Sequence, residues 1–230
     1  MPEIIDLSQE IFEGMPVFKS LPQVKMTVHN THEEWDGIKN STTKTPAVYK
    51  LEMGEHTGTH VDALNHMEAK HIGKSIDTMP LSMFYTEGIC LDFSHKNLQE
   101  LITSTEVINK LKESDLTIKK GDTVLLCTNH YQKHFNTENW SKGPGITAEC
   151  ATWLGEQNIA AFGVETMSPG VPNISNKEVH HICGNFGFTH YENMINLDKL
   201  IGKGRFRFIG LPLKIRGGTG SPVRAVAIFE

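Results

Sequence analysis

Long apolar runs alternate with amphipathic stretches through the middle of the chain. GDTVLLCT (121–128) and IAAFGV (159–164) show no polar alternation, the pattern of strands covered on both faces. Around them the period changes. Residues 104–112 carry Val107, Ile108 and Leu111 at helical spacing behind Thr105. Thr147 stands where it caps a helix over 148–157. Ser175 or Asn176 caps a shorter helix that carries His180 and His181 and stops at Gly184. Strands are predicted at 4–7, 47–53 and 88–93, and two more, 206–212 and 223–229, close the chain through a glycine-rich turn. Residues 30–46 are polar and poor in helix formers, which predicts a long surface loop able to serve as a lid. No repeat, low-complexity tract or Pro/Ser/Gly linker divides the sequence, so a single α/β domain over 1–230 with a mixed central sheet is the economical architecture.

Composition narrows the function classes. A chain of 230 residues buries a sizeable core, and 38% hydrophobic with 21% charged content leaves no room for a disordered protein. A formal charge of −5 and the lack of any Lys/Arg cluster argue against a nucleic-acid partner. The N-terminal stretch carries acids early and no apolar run of signal-peptide or membrane-span length. Cys90, Cys127, Cys150 and Cys183 form no CxxC pair and read as free or buried thiols of a reducing cytoplasm.

Histidine is the unusual component, and three of the 12 fall within HTGTHVDALNH, from His56 to His66. His56, Gly58, His60 and Asp62 share parity, so an extended chain would present two imidazoles and a carboxylate on one face. A helix is disfavoured by Gly58 and by β-branched Thr57, Thr59 and Val61. The α-carbons of His56 and His60 would lie roughly 13 Å apart in a straight strand. That is about the limit for two imidazoles to share an ion at roughly 2.0–2.1 Å, so the chain must bend, and Gly58 can do it. These features describe a metal site, against the blander reading of polar residues on a wet strand.

Other candidates are weaker alone. Phe186, Phe188, His190 and Glu192 share parity, and His180 precedes them on its helix. A later histidine and carboxylate, His180 and Glu192, could complete the first ion or hold a second. RGGTGSP (216–222) lacks the Gly-Lys-Ser/Thr ending of a phosphate loop and reads as a tight turn into the last strand. Phe18, Trp35, Tyr131 and Trp140 could wall a planar substrate, although aromatics more often fill cores. No GxSxG elbow or nucleophilic-cysteine context is present.

With these residues in view, the sequence resembles the cyclase family of metal-dependent hydrolases, which includes bacterial kynurenine formamidases and isatin hydrolases. The hallmark HxGTHxDxPxH spans His56 to His66, and the resemblance extends through IDTMPL, GVETMSPG, ENMINL and the closing PLKIRGGTGSPVRAVAI. It implies a swivelling β/β/α fold, usually assembled as a homodimer or homotetramer, acting on a small-molecule substrate. It implies that His56, His60, Asp62, His180 and Glu192 hold one or two divalent ions, Zn²⁺ or Mn²⁺, and that His66 is the catalytic acid/base. The implied activity is that of an arylformamidase, with isatin- or lactone-type ring hydrolysis as the alternative and a non-catalytic metal-binding protein as the alternative of another class.

Three departures bear on substrate identity. Leu64 replaces the hallmark proline. Phe18-Lys19-Ser20-Leu21 replaces the family's Trp-Pro-Gly-Asp near where formamidases hold an aromatic substrate, making Phe18 the candidate substrate contact. The 30–46 stretch is longer than in compact formamidases.

Overall fold

Residues 2–32 and 46–230 are described by the computed structural model. Most of the 30–46 stretch read as a lid, with Trp35, lies outside them. The first half contains β1 (Glu3–Asp6), β2 (Lys25–Asn30), β3 (Val48–Glu52), β4 (His60–Asp62), α1 (Leu64–Met67), β5 (Tyr85–Asp92), β6 (Leu101–Ile102) and α2 (Ser104–Glu113). Next come β7 (Thr123–Cys127), α3 (His130–His134), β8 (Gly145–Ile146), α4 (Ala148–Glu156) and β9 (Ala161–Val164). The chain ends with α5 (Asn176–Phe186), β10 (Thr189–Glu192), β11 (Phe206–Ile209), β12 (Gly220–Pro222) and β13 (Val226–Phe229).

Nine strands form one mixed sheet in the order β1-β13-β11-β5-β7-β9-β10-β4-β12. The centre, β5-β7-β9-β10, is parallel and both flanks are antiparallel. Parallel strands need covered faces, and every residue of β7 and β9 is buried, as their unbroken apolar runs predict. The architecture is the α/β, mixed-sheet fold expected from the sequence. Among the described residues, no helix is long and apolar enough to cross a membrane.

Several local expectations need correction. Thr105 lies inside α2, whose cap is Thr103: its hydroxyl accepts from the Glu106 amide, while its own amide donates to Glu106 Oε2 at 2.9 Å, a reciprocal capping box. Gly184 does not stop α5, which runs to Phe186 and ends at Gly187 with φ of +79°. Gly184 serves packing instead: a β-carbon there would lie 3.0 Å from Glu68 Cγ and 3.2 Å from Met67 Cβ, so α5 seats directly on α1 and its extension. Residues 47–53 do form a strand, but β3 pairs with β2 in a separate hairpin whose Val28, Tyr49 and Leu51 are exposed. Gly220–Pro222 is not part of a turn but strand β12, which pairs with β4.

Candidate metal centre

Three short stretches build the site. The strand β4 points His60 and Asp62 to one face, as period-two geometry requires. His56 is not in that strand. It lies in a turn, and Gly58 bends the backbone between them with φ of +61°, so the bend demanded by the spacing is present but the extended run over 56–62 is not. Antiparallel pairing sets Glu192 of β10 opposite His60, and His190 shares its face. His180 comes from α5, and His66 from α1, where Leu64 takes the first helical position that the hallmark gives to proline. The close α5–α1 approach at Gly184 brings these two rings to a centroid separation of 5.8 Å.

Two buried carboxylates organise the imidazoles. His60 Nε2 is 3.5 Å from Asp62 Oδ1 and 3.5 Å from Glu192 Oε2. His56 Nδ1 is 2.7 Å from Asp62 Oδ1. On the other side, His180 Nε2 is 3.6 Å from Asp62 Oδ2 and 3.9 Å from Glu192 Oε1. His190 Nε2 is 3.1 Å and 3.3 Å from the same two oxygens. Within this constellation, donor atoms of Asp62, His180, His190 and Glu192 all lie within 4.8 Å of one another, as do those of His56, Asp62 and His66.

The backbone fixes which ring nitrogens face inward. His60 Nδ1 donates to the Gly58 carbonyl at 2.9 Å, and His180 Nδ1 donates to the Asn176 carbonyl at 2.8 Å. In each neutral ring the lone pair then sits on Nε2, aimed at the carboxylates. His56 is fixed through a relay: the Thr219 hydroxyl donates to Glu55 at 2.7 Å and therefore accepts from His56 Nε2 at 3.1 Å, leaving the Nδ1 lone pair against Asp62. A lone pair facing a carboxylate is repelled unless a proton or a metal cation lies between them. His60 Nε2 and both ring nitrogens of His190 are buried without hydrogen-bond partners, an arrangement that is costly unless something positive is bound. This donor set fits a divalent ion of borderline softness.

Electrostatics point the same way. Burial pushes the Asp62 carboxyl up, but the His190 charge and contacts from His180, His190 and His56 hold it well below the usual carboxylate range. Burial pushes His190 down, and Asp62 and Glu192 overcome it and raise that ring well above an ordinary imidazole. His60 is raised for the same reason, against its own burial. Buried negative charge that stabilises protonated imidazoles in this way suits a divalent cation too. His66 differs: burial, helped by neighbouring His56, His180 and His190, lowers its pKa against the pull of Asp62. Its ring is 37% exposed, the most open of the group.

A cleft of about 160 Å³ opens over the cluster, lined by Phe18, His56, His66, His180, Met167 and Ser168 among others. That volume matches a cavity that takes one benzene-sized ring. Phe18, the candidate substrate contact, lines this cleft. Tyr131 and Trp140 do not: they pack with Phe135 and His130 around α3, away from the cleft. His181 points elsewhere, its Nδ1 2.6 Å from Glu68 Oε1. Sequence reasoning missed two features. His190 was visible as a same-parity neighbour of Glu192 but had no role. The Gly218-Thr219-Gly220 segment, read as a turn, is the wall behind His56 and Glu55.

Comparison with known proteins places this geometry. The putative cyclase family matches residues 5–171. The chain belongs to that family. A kynurenine formamidase of Bacillus cereus (strain ZK / E33L) is 30% identical over 226 residues, spanning 97% of this chain and 96% of its own. Among solved structures, isatin hydrolase A from Ralstonia solanacearum superposes with a TM-score of 0.86 at 25% identity, covering 100% of this chain and 92% of that one. A predicted metal-dependent hydrolase from Bacillus stearothermophilus gives 0.74 at 23% identity, covering 99% and 98%. The cyclase fold is thus shared along the full length, and the His56–His66 hallmark falls inside the matched region.

Proposed function

We propose that this cyclase-family chain is a metal-dependent amide hydrolase of arylformamidase type, converting N-formyl-kynurenine to kynurenine and formate. It is an enzyme acting on C–N bonds, in line with its kynurenine formamidase relatives. One observation carries the reading: imidazoles locked by backbone carbonyls turn their free nitrogens onto two shared carboxylates at the floor of a ring-sized cleft. When bound, a divalent ion in such a donor set supplies Lewis acidity toward an acyl oxygen and lowers the pKa of water toward about 7.

The chain's own groups then divide the work. His56, His60, Asp62, His180 and Glu192 hold the ion or ions, with zinc or manganese suited to mixed imidazole and carboxylate donors. His66, on the cleft wall with its ring tied to no backbone group among the described residues, takes a proton from the attacking water and returns it to the departing nitrogen. Phe18 packs against the aryl ring. The apolar face of the β2–β3 hairpin supports assembly as a homodimer or homotetramer. Buried, unpaired Cys90, Cys127, Cys150 and Cys183 support a reducing cytoplasm.

The test is a hydrolysis panel on metal-reloaded protein with N-formyl-kynurenine, isatin and simple lactones. Turnover of the formamide with little on the others is expected. Selective isatin opening would favour the second reading, which the fold likeness to isatin hydrolase supports. Silence from a fully loaded protein would leave a metal-binding protein without catalysis.

A further inference from the structure

His190 is the one member of the cluster to which the family resemblance gives no role. It is fully buried at the centre of the site, its ring 4.8 Å from that of His180 and nearly perpendicular at 81°. Neither nitrogen makes a well-aligned hydrogen bond, and the Cys183 thiol lies against the ring as well. A histidine placed there to brace the carboxylates would donate a well-aligned hydrogen bond to one of them. This one instead holds Nε2 3.1 Å from Asp62 Oδ2 and 3.3 Å from Glu192 Oε1, almost equidistant and out of line for either. A group that makes no good hydrogen bond to two acceptors it nearly touches is placed for something between them.

The two carboxylates divide the donors into matched halves. Asp62 Oδ1 and Glu192 Oε2 face His60, with His56 beside Oδ1, while Asp62 Oδ2 and Glu192 Oε1 face His180 and His190. We infer that His190 is a direct metal ligand, completing with His180, Asp62 and Glu192 a second, four-donor ion site bridged to the first through both carboxylates. This rests on the metal-dependent reading above. Four protein donors make a closed set, the kind that binds an ion tightly and leaves no position for water. The His56–His60 half, beside the cleft, is then the one open to substrate.

The experiment measures metal, not turnover. Wild type, His190→Gln and His190→Cys are stripped with chelator, reloaded with Co²⁺ or Zn²⁺, counted by mass spectrometry and titrated against a competing chelator. Far-ultraviolet circular dichroism of the stripped proteins checks the fold. Wild type should bind two ions per chain, and His190→Gln should hold one of them at least 10–100-fold more weakly. In Co²⁺-loaded His190→Cys, a thiolate-to-cobalt charge-transfer band should appear beyond any that wild type shows from Cys183. Two ions bound by His190→Gln at wild-type affinity, or no new band in the cysteine variant, would overturn the assignment while leaving the hydrolase reading intact. A single ion in wild type would overturn the second site. Wild type that takes up no divalent ion at all would remove the hydrolase reading itself.

Discussion

Gly220 is a decisive place to perturb the centre without touching a donor. It sits in β12, pinned by pairing with Asp62, and the His56 ring lies against its bare α-carbon. A β-carbon there would stand 2.6 Å from His56 Cε1 and 3.0 Å from Nδ1. Non-bonded carbons settle at about 3.5–4.0 Å, so in Gly220→Ala the ring must retreat by about 1 Å. Ligand positions tolerate about 0.2 Å. The displacement is several times that allowance, and the His56 half should lose affinity by about 10–100-fold, or roughly 1.4–2.8 kcal/mol. Chelator competition on the stripped and reloaded protein reads the loss directly. The control is Gly217→Ala in the same segment: its φ of +72° gives a backbone cost of about 1 kcal/mol, but its β-carbon meets nothing within 4 Å, so metal affinity should not move. A Gly220→Ala protein that binds metal as tightly as wild type would refute the claim that this wall positions His56.

Three further outcomes follow from the same geometry. His66→Ala should lower kcat by about 10²–10⁴-fold with metal content near wild type; loss of metal would move His66 into the coordination set. Asp62→Ala removes the carboxylate shared by every imidazole of the cluster and should abolish both metal binding and activity, and a metal-replete, active variant would contradict the site. Burial pushes His130 down to about 4, against the pull of the hydrogen bond it donates to the Trp140 carbonyl. The unfolded chain therefore takes up this proton first, and stability present above pH of about 6.5 is lost as pH falls toward 4, by about 3 kcal/mol. The stability gap between wild type and His130→Gln in denaturant melts should narrow over that window. A gap that stays constant would show that His130 titrates normally.

Much of this was legible in residue patterns, and the reasons differ by segment. The unbroken runs around β7 and β9 declared strands buried on both faces because nothing polar had to be solvated. Parity put His60 and Asp62 on one face, and the reach of an imidazole forced a bend at Gly58. What escaped was long-range or two-sided. The β2–β3 hairpin is exposed along most of both strands, so it carries little alternation to read. Gly184 looked like a helix stop because a glycine's role in close packing depends on a partner 116 or 117 positions earlier, at Glu68 and Met67. Thr219 acts on His56 across 163 positions, which no local pattern encodes. His190 shared its face with Glu192 in plain view, but an isolated histidine on a strand is more often a core residue than a ligand.

The wall behind His56 also has a consequence for how the molecule is made. The strand β4 is held by β10 and β12, partners that lie more than a hundred residues further along the chain. Closing such large loops is slow, because the chain loses entropy long before the contacts reward it. A nascent polypeptide that has synthesised every donor through Glu192 still lacks Thr219 and Gly220, so it owns the ligands but not the socket. Cation capture at the His56 half would thereby wait until β12 has been made and docked beside β4.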